Sequence, residues 1–311
     1  MIHPNLKLMS HSSDASLTTC DRKYQIYKLR PEFGSVEYED GDVDLDFGSV
    51  VGIGVQEYLK EFSIKNSYLQ MFFAWGRHLD DEDGLKKKKT FWHCLMAVDK
   101  FIRFHQEELR GYDLVSFNGK PALEVGFCIN CGDGYYYRGK IDAVLFNKRT
   151  GHLVVMEIKT TGMYSLHEAM YKNQGQASGY KLVIDAISTI ANIPIEDSYK
   201  VEYVIYQTRE QEWHRYTFTK TPKGLVRWVK TLLVHKQQIE FNGHNEYWPM
   251  NGDACMQYNR PCRYFGTCDM PDEMIFGLGM SRVKEKDIDA DMDNYEFHFM
   301  LDDLLTMLLK E

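Results

Sequence analysis

The chain has 311 residues, 44% of them hydrophobic, so it can bury a substantial core and form one large domain or one domain with appendages. Its 37 basic and 45 acidic residues give a formal net charge of -8 at pH 7. This charge excludes a protein that coats nucleic acid by bulk electrostatics, because phosphate contacts need a positive surface. Any contact with nucleic acid must therefore use a local basic lining.

The N-terminal sequence MIHPNLKLMSHSSD lacks a basic segment followed by a long apolar stretch, and no apolar run approaches the length of a membrane span. We therefore expect an intracellular protein. In a reducing compartment its seven cysteines are expected to be free thiols or metal ligands rather than disulfides. Three of them, Cys94, Cys128 and Cys131, are predicted to be structural.

The first part of the sequence is predicted to be helical. Residues 13–30 open with cap-type residues and carry apolar side chains at helical intervals, which predicts one helix containing Cys20. Further helices are predicted at residues 48–64, 67–76 and 90–110.

Two features of this helical part require explanation. Gly48, Gly52 and Gly54 each weaken a helix by up to about 1 kcal/mol relative to alanine, so they indicate close packing or a functional constraint. The lysines at residues 86–89 favour a solvated loop, with contact to phosphate as the alternative.

From about Ala122 the pattern changes to strands. ALEVGFCI, YYYRGKIDAVLF and HLVVMEIKTT are rich in β-branched and aromatic residues, and NKRTG between the last two is a turn signal. A helix over 165–191, the strand VEYVIYQT and a helix over 222–241 follow. This order predicts an α/β domain with a mixed central β-sheet flanked by helices. We expect a domain over residues 1–271, then a polar linker and an amphipathic tail helix over 272–311.

The predicted hairpin brings three charged residues together. If a four-residue turn joins its strands, Asn147 faces His152, and the same register places Asp142 opposite Glu157. Opposed side chains in an antiparallel pair have Cβ atoms about 4.5–5.5 Å apart, close enough to share one metal ion. Lys159 lies two residues after Glu157, so both side chains leave the same face of the strand.

The neighbouring residues of both strands are apolar, and unpaired charges are unfavourable in such surroundings. A hard cation such as Mg²⁺ or Mn²⁺ suits two carboxylates, since it prefers oxygen ligands and keeps water for a substrate phosphate. Such a cation supports phosphodiester hydrolysis, with Lys159 orienting water or stabilising charge in the transition state. The alternative is a salt bridge of Lys159 with Asp142 or Glu157 in an ordinary sheet, and the spacing alone leaves both open.

Several motifs in order resemble the PD-(D/E)XK nuclease superfamily. GKIDAVL followed by VVMEIKTTG resembles the superfamily pattern, and QASGY, from Gln176 to Tyr180, resembles the QxxxY motif of its RecB-like branch. SLTTCDRKY and the late cysteines of CMQYNRPCRYFGTC resemble the iron-sulfur subgroup, which includes AddB-type nucleases, CRISPR-associated adaptation nucleases and phage exonucleases. The matching segments frame residues 13–268.

The resemblance implies a restriction-endonuclease-like fold, metal binding by Asp142 and Glu157, and a catalytic role for Lys159. It also implies that Gln176 and Tyr180 organise the site or touch DNA, and their spacing of four residues puts them on one helix face. A surface glutamine and a core tyrosine are the alternative for this pair.

The sequence departs from the RecB-like pattern at the early helix, where related proteins often carry a metal-ligating His in a GxxxH motif. Here Gly48 is followed at that spacing by Gly52. We expect Gln56, one turn later, to reach the site through its amide oxygen or a water, with Glu57 as a weaker alternative. Glu124, at the start of the strand before the hairpin, is expected to support the site indirectly.

Cys20, Cys255, Cys262 and Cys268 are predicted to bind one metal centre, which the resemblance implies is a [4Fe-4S] cluster. Four thiolates suit either such a cluster or a zinc ion. The three late cysteines are separated by six and then five residues, wider than the two to four typical of structural zinc, which favours the cluster. Structural zinc and unrelated free thiols are the alternatives.

The residues themselves predict a metal-dependent hydrolytic site. The resemblance implies a Mg²⁺- or Mn²⁺-dependent deoxyribonuclease, an exonuclease acting on single strands or duplex ends in DNA recombination, repair or phage DNA processing. Such a protein is expected in the cytoplasm of a bacterial or phage-infected cell, with DNA and a recombination protein as candidate partners. The alternative is a catalytically weak nuclease fold that binds DNA ends or a recombination partner, which Gly52 in place of the His supports.

Overall fold

The computed structural model describes residues 2–34, 43–76, 82–172, 174–193, 200–257, 260–277 and 283–309. Its α-helices, in chain order, are α1 (His11–Thr19), α2 (Asp21–Leu29), α3 (Val43–Glu61), α4 (Ile64–Ala74), α5 (Glu82–Lys87), α6 (Phe91–Glu108), α7 (Ala169–Lys172), α8 (Gly175–Ile190), α9 (Pro222–His244), α10 (Asp272–Phe276), α11 (Ile288–Met292) and α12 (Leu301–Leu309). Its strands are β1 (Leu8–Met9), β2 (Tyr112–Leu114), β3 (Ser116–Phe117), β4 (Lys120–Pro121), β5 (Leu123–Asn130), β6 (Tyr136–Asn147), β7 (His152–Thr161), β8 (Lys200–Gln207), β9 (Glu212–Thr219), β10 (Met256–Gln257), β11 (Arg260–Pro261) and β12 (Phe297–Met300).

The chain folds into two compact units, each assembled from separated stretches of sequence. The first unit contains residues 1–40, 126–139 and 226–311, and the second contains residues 41–125 and 140–225. The described residues of the 272–311 tail therefore belong to the first unit. A functional boundary after residue 271 stays a prediction.

The second unit contains a mixed sheet in the order β6-β7-β8-β9, in which β7 and β8 are parallel and the other two pairs antiparallel. Along β7, Val154, Met156 and Ile158 face a core shared with α3 and α6. Glu157 leaves the opposite face, where Gln176 of α8 contacts it. Helices thus cover both faces of a mixed sheet, which confirms the predicted fold class.

The first unit holds both ends of the chain together. β1 runs parallel to the start of β6, and β12 runs parallel to β5 with Phe297 opposite Phe127. Trp228 of α9 contacts Tyr137 of β6 edge to face, with ring centroids 5.3 Å apart. These contacts join three stretches of chain that are far apart in sequence.

Three predicted helices are wrong in detail. The helix over 165–191 is replaced by α7 and α8. Residues 13–30 form α1 and α2, because Cys20 between them has an extended backbone (φ -167°, ψ 123°). The tail helix begins only at Leu301, since residues 297–300 form β12, whose burial alternates with the period of a strand. Strand β9 was not predicted. Cys20 contacts the 249–251 segment and β12 pairs with β5, so contacts with distant parts of the chain accompany these two differences.

Gly54 is the point where α3 packs most closely on α4 and α6. A Cβ atom at Gly54 would lie 2.5 Å from Sδ of Met71 and 2.7 Å from Cγ2 of Val98, whereas a Cβ atom at Gly52 would meet no atom within 4 Å. Close packing therefore accounts for Gly54, and it does not account for Gly52.

We predict that Gly54→Ala lowers the free energy of unfolding by about 1–3 kcal/mol, because the added methyl group overpacks the helix interface. The matched control Gly52→Ala should instead raise it by about 0.5–1 kcal/mol, since alanine favours the helix and has room there. Urea unfolding followed by circular dichroism measures both. Equal effects of the two substitutions would contradict this packing.

Candidate active site

The candidate site is built on the hairpin of β6 and β7 in the second unit. Asn147 lies opposite His152, as predicted. The Asn147 Oδ1 atom accepts a hydrogen bond from the backbone N–H of Arg149 at 3.0 Å, and Gly151 has a φ of 77°, which favours glycine. The turn therefore fixes the register that carries the functional side chains.

Two carboxylates meet on this hairpin. The Asp142 Oδ2 atom accepts a hydrogen bond from the backbone N–H of Ile158 at 2.7 Å. Glu157 is only 1% exposed, and its Oε1 atom accepts hydrogen bonds from Lys159 Nζ at 2.5 Å and Gln176 Nε2 at 2.7 Å. The other oxygen, Oε2, is buried without a hydrogen-bond partner among the described residues. Such an oxygen is unfavourable unless a ligand binds it.

The electrostatics of the site show an excess of negative charge. Burial, and then the charge of Glu157, raise the pKa of Asp142 well above its usual range. Burial also raises the pKa of Glu157, against the opposing effect of Lys159. Burial alone would lower the pKa of Lys159, but the charges of Glu157 and Asp142 outweigh it and the pKa is raised. Two carboxylates sharing one ammonium group, with one oxygen unsatisfied, fit an oxygen-preferring divalent cation.

Helix α8 holds Glu157 through a chain of hydrogen bonds. Gln176 Nε2 also donates to the hydroxyl of Tyr180 at 2.8 Å, and this hydroxyl donates to the backbone carbonyl of Lys140 at 2.6 Å. Gln176 is 8% and Tyr180 6% exposed. The pair thus connects the two strands of the hairpin from inside the protein, an arrangement suited to organising the site.

Helix α3 reaches the site through Gln56. Its Nε2 atom donates to Glu124 Oε1 at 2.6 Å and to the backbone carbonyl of Asp142 at 3.4 Å. Glu124 has a φ of 50°, which is uncommon for a residue other than glycine. The Oε2 atom of Glu57 instead lies 3.7 Å from Nζ of Lys60. At Gly52 the space that a side chain would enter is open.

Comparison with known proteins gives the family. The sequence profile of the PD-(D/E)XK nuclease superfamily matches residues 8–269 of the chain. The chain belongs to this superfamily. No curated protein sequence matches it significantly.

Two solved structures are similar to this PD-(D/E)XK nuclease. A provisionally named exonuclease from Eubacterium rectale is 13% identical, with a TM-score of 0.46, and the match covers 81% of this chain and 86% of that chain. The protein SSO0001 is 14% identical, with a TM-score of 0.27, and the match covers 78% of this chain and 93% of that chain. No described helix of this nuclease is long and apolar enough to cross a membrane.

Two tyrosines that the sequence did not single out, Tyr203 and Tyr171, lie near the candidate site of this nuclease. Tyr203 of β8 lies opposite Glu157, and its buried hydroxyl has no hydrogen-bond partner among the described residues. Burial, and then the charges of Glu157 and Asp142, raise the pKa of Tyr203. The ring of Tyr171 lies 5.3 Å from that of Tyr203. The sequence of β8 carries no signal that β7 becomes its neighbour in the sheet.

A second group of potential metal ligands lies at the connection between β8 and β9. The group consists of Glu210, Glu212 and His214. Each offers one ligand atom, and these three atoms all lie within 4.8 Å of one another. Both glutamates are exposed, and exposed acidic groups of this kind are common without a metal ion. We assign this group no function.

The four cysteines predicted to bind a metal centre all lie in the first unit. Cys20 Sγ contacts the backbone of the 249–251 segment, where it accepts a hydrogen bond from the N–H of Asn251 at 3.4 Å. Cys262 donates its backbone N–H to the carbonyl of Cys255 at 2.8 Å. Burial raises the pKa of Cys268, and the other three cysteines add to this effect. These hydrogen bonds, with that of Arg22 to the carbonyl of Cys268, bring the segments that carry the four cysteines near one another.

The two kinds of metal centre require different separations of the four thiols. Among the described side chains, no three of these Sγ atoms lie within 4.8 Å of one another. Tetrahedral zinc, with Zn–S bonds of about 2.3 Å, requires Sγ atoms about 3.8 Å apart. A zinc site and a larger cluster both stay predictions for these four cysteines.

We predict that Asp142→Asn raises the free energy of unfolding of the metal-free protein at pH 7.5. The folded-state pKa of Asp142 lies above its unfolded value. The stability linked to this carboxyl is therefore fully present below its unfolded pKa and is lost as the pH rises through the folded pKa. The advantage of the variant should disappear towards pH 4.

Melting curves in EDTA at both pH values measure this difference. Asp113→Asn is the matched control, because Asp113 is exposed and pairs with exposed Lys148, and it should leave the melting temperature nearly unchanged. An Asp142→Asn variant that is less stable than the wild type at pH 7.5 would refute the electrostatic argument.

Proposed function

We propose that this PD-(D/E)XK nuclease is a Mg²⁺- or Mn²⁺-dependent deoxyribonuclease, and specifically an exonuclease. The observation that carries the proposal is the buried Glu157 Oε2 atom without a described partner, next to Asp142 and Lys159. A structural ion pair would satisfy its buried oxygens. This arrangement leaves one for a ligand.

Asp142 and Glu157 would hold the cation. When bound, it supplies Lewis-acid stabilisation of a phosphodiester and lowers the pKa of water. Gln176 fixes Glu157 Oε1 so that Oε2 stays directed away from it, while Tyr180 fixes Gln176. The Lys159 side chain is 37% exposed, so its ammonium group can orient an attacking water and stabilise the negative charge of the transition state.

Gln56 has a supporting role in this proposal. It links the backbone of Asp142 to Glu124, and it approaches the site from the helix on which RecB-like proteins often carry a metal-ligating His. The open space at Gly52 can admit water in place of that missing side chain. Cation affinity is then supplied mainly by the two carboxylates.

DNA as the substrate, with action on single strands or duplex ends, rests on the RecB-like motifs of the sequence. Recombination, repair or phage DNA processing, a cytoplasmic location and a recombination partner belong to the same proposal. The acidic chain as a whole repels DNA, so binding requires cations close to the site.

We predict that Asp142→Asn, Glu157→Gln and Lys159→Ala each reduce cleavage of end-labelled DNA by about 100-fold or more, because each removes a charge that the chemistry uses. DNA binding should be largely kept, and none of the three variants should melt at a markedly lower temperature than the wild type. Turnover is measured with Mg²⁺ and with Mn²⁺.

Two controls match these changes. Glu212→Gln removes an exposed carboxylate of the other group of potential metal ligands, and Lys148→Ala removes an exposed lysine at the hairpin turn; both should cleave at the wild-type rate. Turnover like that of the wild type in Glu157→Gln would reject the assigned site. A wild-type protein that binds DNA ends without cleaving them would favour the weak-nuclease alternative.

The cysteines extend the proposal to a [4Fe-4S] cluster held by Cys20, Cys255, Cys262 and Cys268. The spacing of the three late cysteines in the sequence supports it over zinc, which stays the alternative. Arg22, two residues after Cys20, donates to the carbonyl of Cys268 at 3.0 Å and pairs with Asp272 at 2.7 Å. A cluster would therefore reinforce an existing connection between α2 and the late segment.

We predict that anaerobically purified protein is brown and contains iron and acid-labile sulfide. Cys262→Ser should lose both and melt at a lower temperature, since one of the four links between distant segments is broken. Cys128→Ala, which removes a buried thiol of β5, should keep the iron. A colourless protein with one zinc ion per chain would reject the cluster in favour of zinc. A protein without any metal would reject both the cluster and the zinc site.

A further inference from the structure

Two parallel strands end side by side next to the candidate active site. Lys159 of β7 pairs with Ile205 of β8, and Thr161 pairs with Gln207. The chain segments that leave these two ends therefore emerge at the same edge of the sheet. This edge carries residues that the active-site chemistry does not use.

An arginine and a tyrosine from the two segments stack on each other. The guanidinium carbon of Arg209 lies 3.3 Å from the centre of the Tyr164 ring. Arg209 Nε donates to the carbonyl of Gly162 at 2.8 Å, and Gln207 Nε2 donates to the carbonyl of Tyr164 at 3.1 Å. Both side chains are thus held in place before any ligand arrives, which lowers the entropy cost of binding.

The pair is open to solvent in spite of these contacts. Tyr164 is 78% exposed, so the ring face opposite Arg209 is free to receive a planar group. Among the described residues, the two terminal guanidinium nitrogens of Arg209 make no hydrogen bond to the protein. A stacking surface and a charge-bearing donor therefore lie side by side.

The positive charge at this edge is local. Exposed Lys88 donates to the backbone carbonyl of Arg209 at 3.1 Å. Its neighbours Lys87 and Lys89 bind Asp44 instead. The acidic neighbour Glu210 has its Oε2 atom 3.8 Å from Nε2 of His214. Arg209 and Lys88 thus place positive charge at this edge of a chain whose formal net charge is -8.

We propose that Tyr164 and Arg209 form a binding subsite for single-stranded nucleic acid, a proposal that rests on the nuclease function above. A base stacks on the free face of Tyr164, and Arg209, with Lys88, binds the adjoining phosphate. Tyr164 is five residues after Lys159, so their Cα atoms are at most about 18 Å apart. The subsite therefore holds a nucleotide within a few positions of the cleaved bond. Paired bases are stacked on each other and do not fit it.

The test uses the full-length protein and a fluorescein-labelled oligothymidylate, with Ca²⁺ in place of Mg²⁺ during binding. Tyr164→Ala should weaken binding by roughly 5- to 150-fold, the loss of one stacked base, while Tyr164→Phe stays within about twofold of the wild type. Arg209→Ala should weaken binding and reduce the slope of log affinity against log salt by about 0.7. In cleavage assays Tyr164→Ala should raise KM and leave kcat unchanged.

Matched controls are Tyr247→Ala and Arg149→Ala, which remove an exposed tyrosine and an exposed arginine elsewhere and should bind like the wild type. Melting curves check that the loop substitutions leave the fold intact. Wild-type affinity in Tyr164→Ala, in a protein that cleaves DNA, would overturn the subsite and leave the proposed function standing. An equal loss for a blunt duplex would overturn its preference for single strands. A wild-type protein that neither binds nor cleaves DNA would overturn both proposals.

Discussion

The carboxylates of Asp142 and Glu157 both lie near the ammonium group of Lys159 within an apolar sheet. Burial raises the pKa of both, and one oxygen of Glu157 has no partner among the described residues. The surroundings hold this unfavourable arrangement in place: a backbone N–H fixes Asp142, and Gln176 fixes Glu157. The fold thus prevents the two carboxylates from moving apart. A divalent cation bound between them would stabilise this arrangement.

The parallel pairing of β7 and β8 extends this site in two directions. Within the sheet it brings Tyr203 against Glu157. At the strand ends it brings the loop of Tyr164 to that of Arg209. Both follow from one register, because the offset between paired residues stays constant along a pair of parallel strands. The candidate chemistry and the proposed nucleotide subsite therefore depend on the same hydrogen-bonded ladder.

The cysteines depend on different contacts. All four belong to the first unit, where α2 is tied to the late segment by Arg22 and by the neighbours of Cys20. The candidate catalytic residues all belong to the second unit. A metal centre in the first unit would act on stability through the closure of a long loop, whereas a cation in the second would act on the reaction itself.

The sequence by itself determined the hairpin, the spacing of Asp142, Glu157 and Lys159, and the helix face shared by Gln176 and Tyr180, because turn chemistry and the periods of strand and helix are local properties. It also indicated the mixed α/β fold through the order of its elements. Only the tertiary structure decided that Cys20 breaks a helix, that Phe297–Met300 is a strand, and that Tyr203 stands beside Glu157. Each of these depends on a partner far away in sequence, and a local pattern carries no information about which distant segment will satisfy a backbone or fill a neighbouring position.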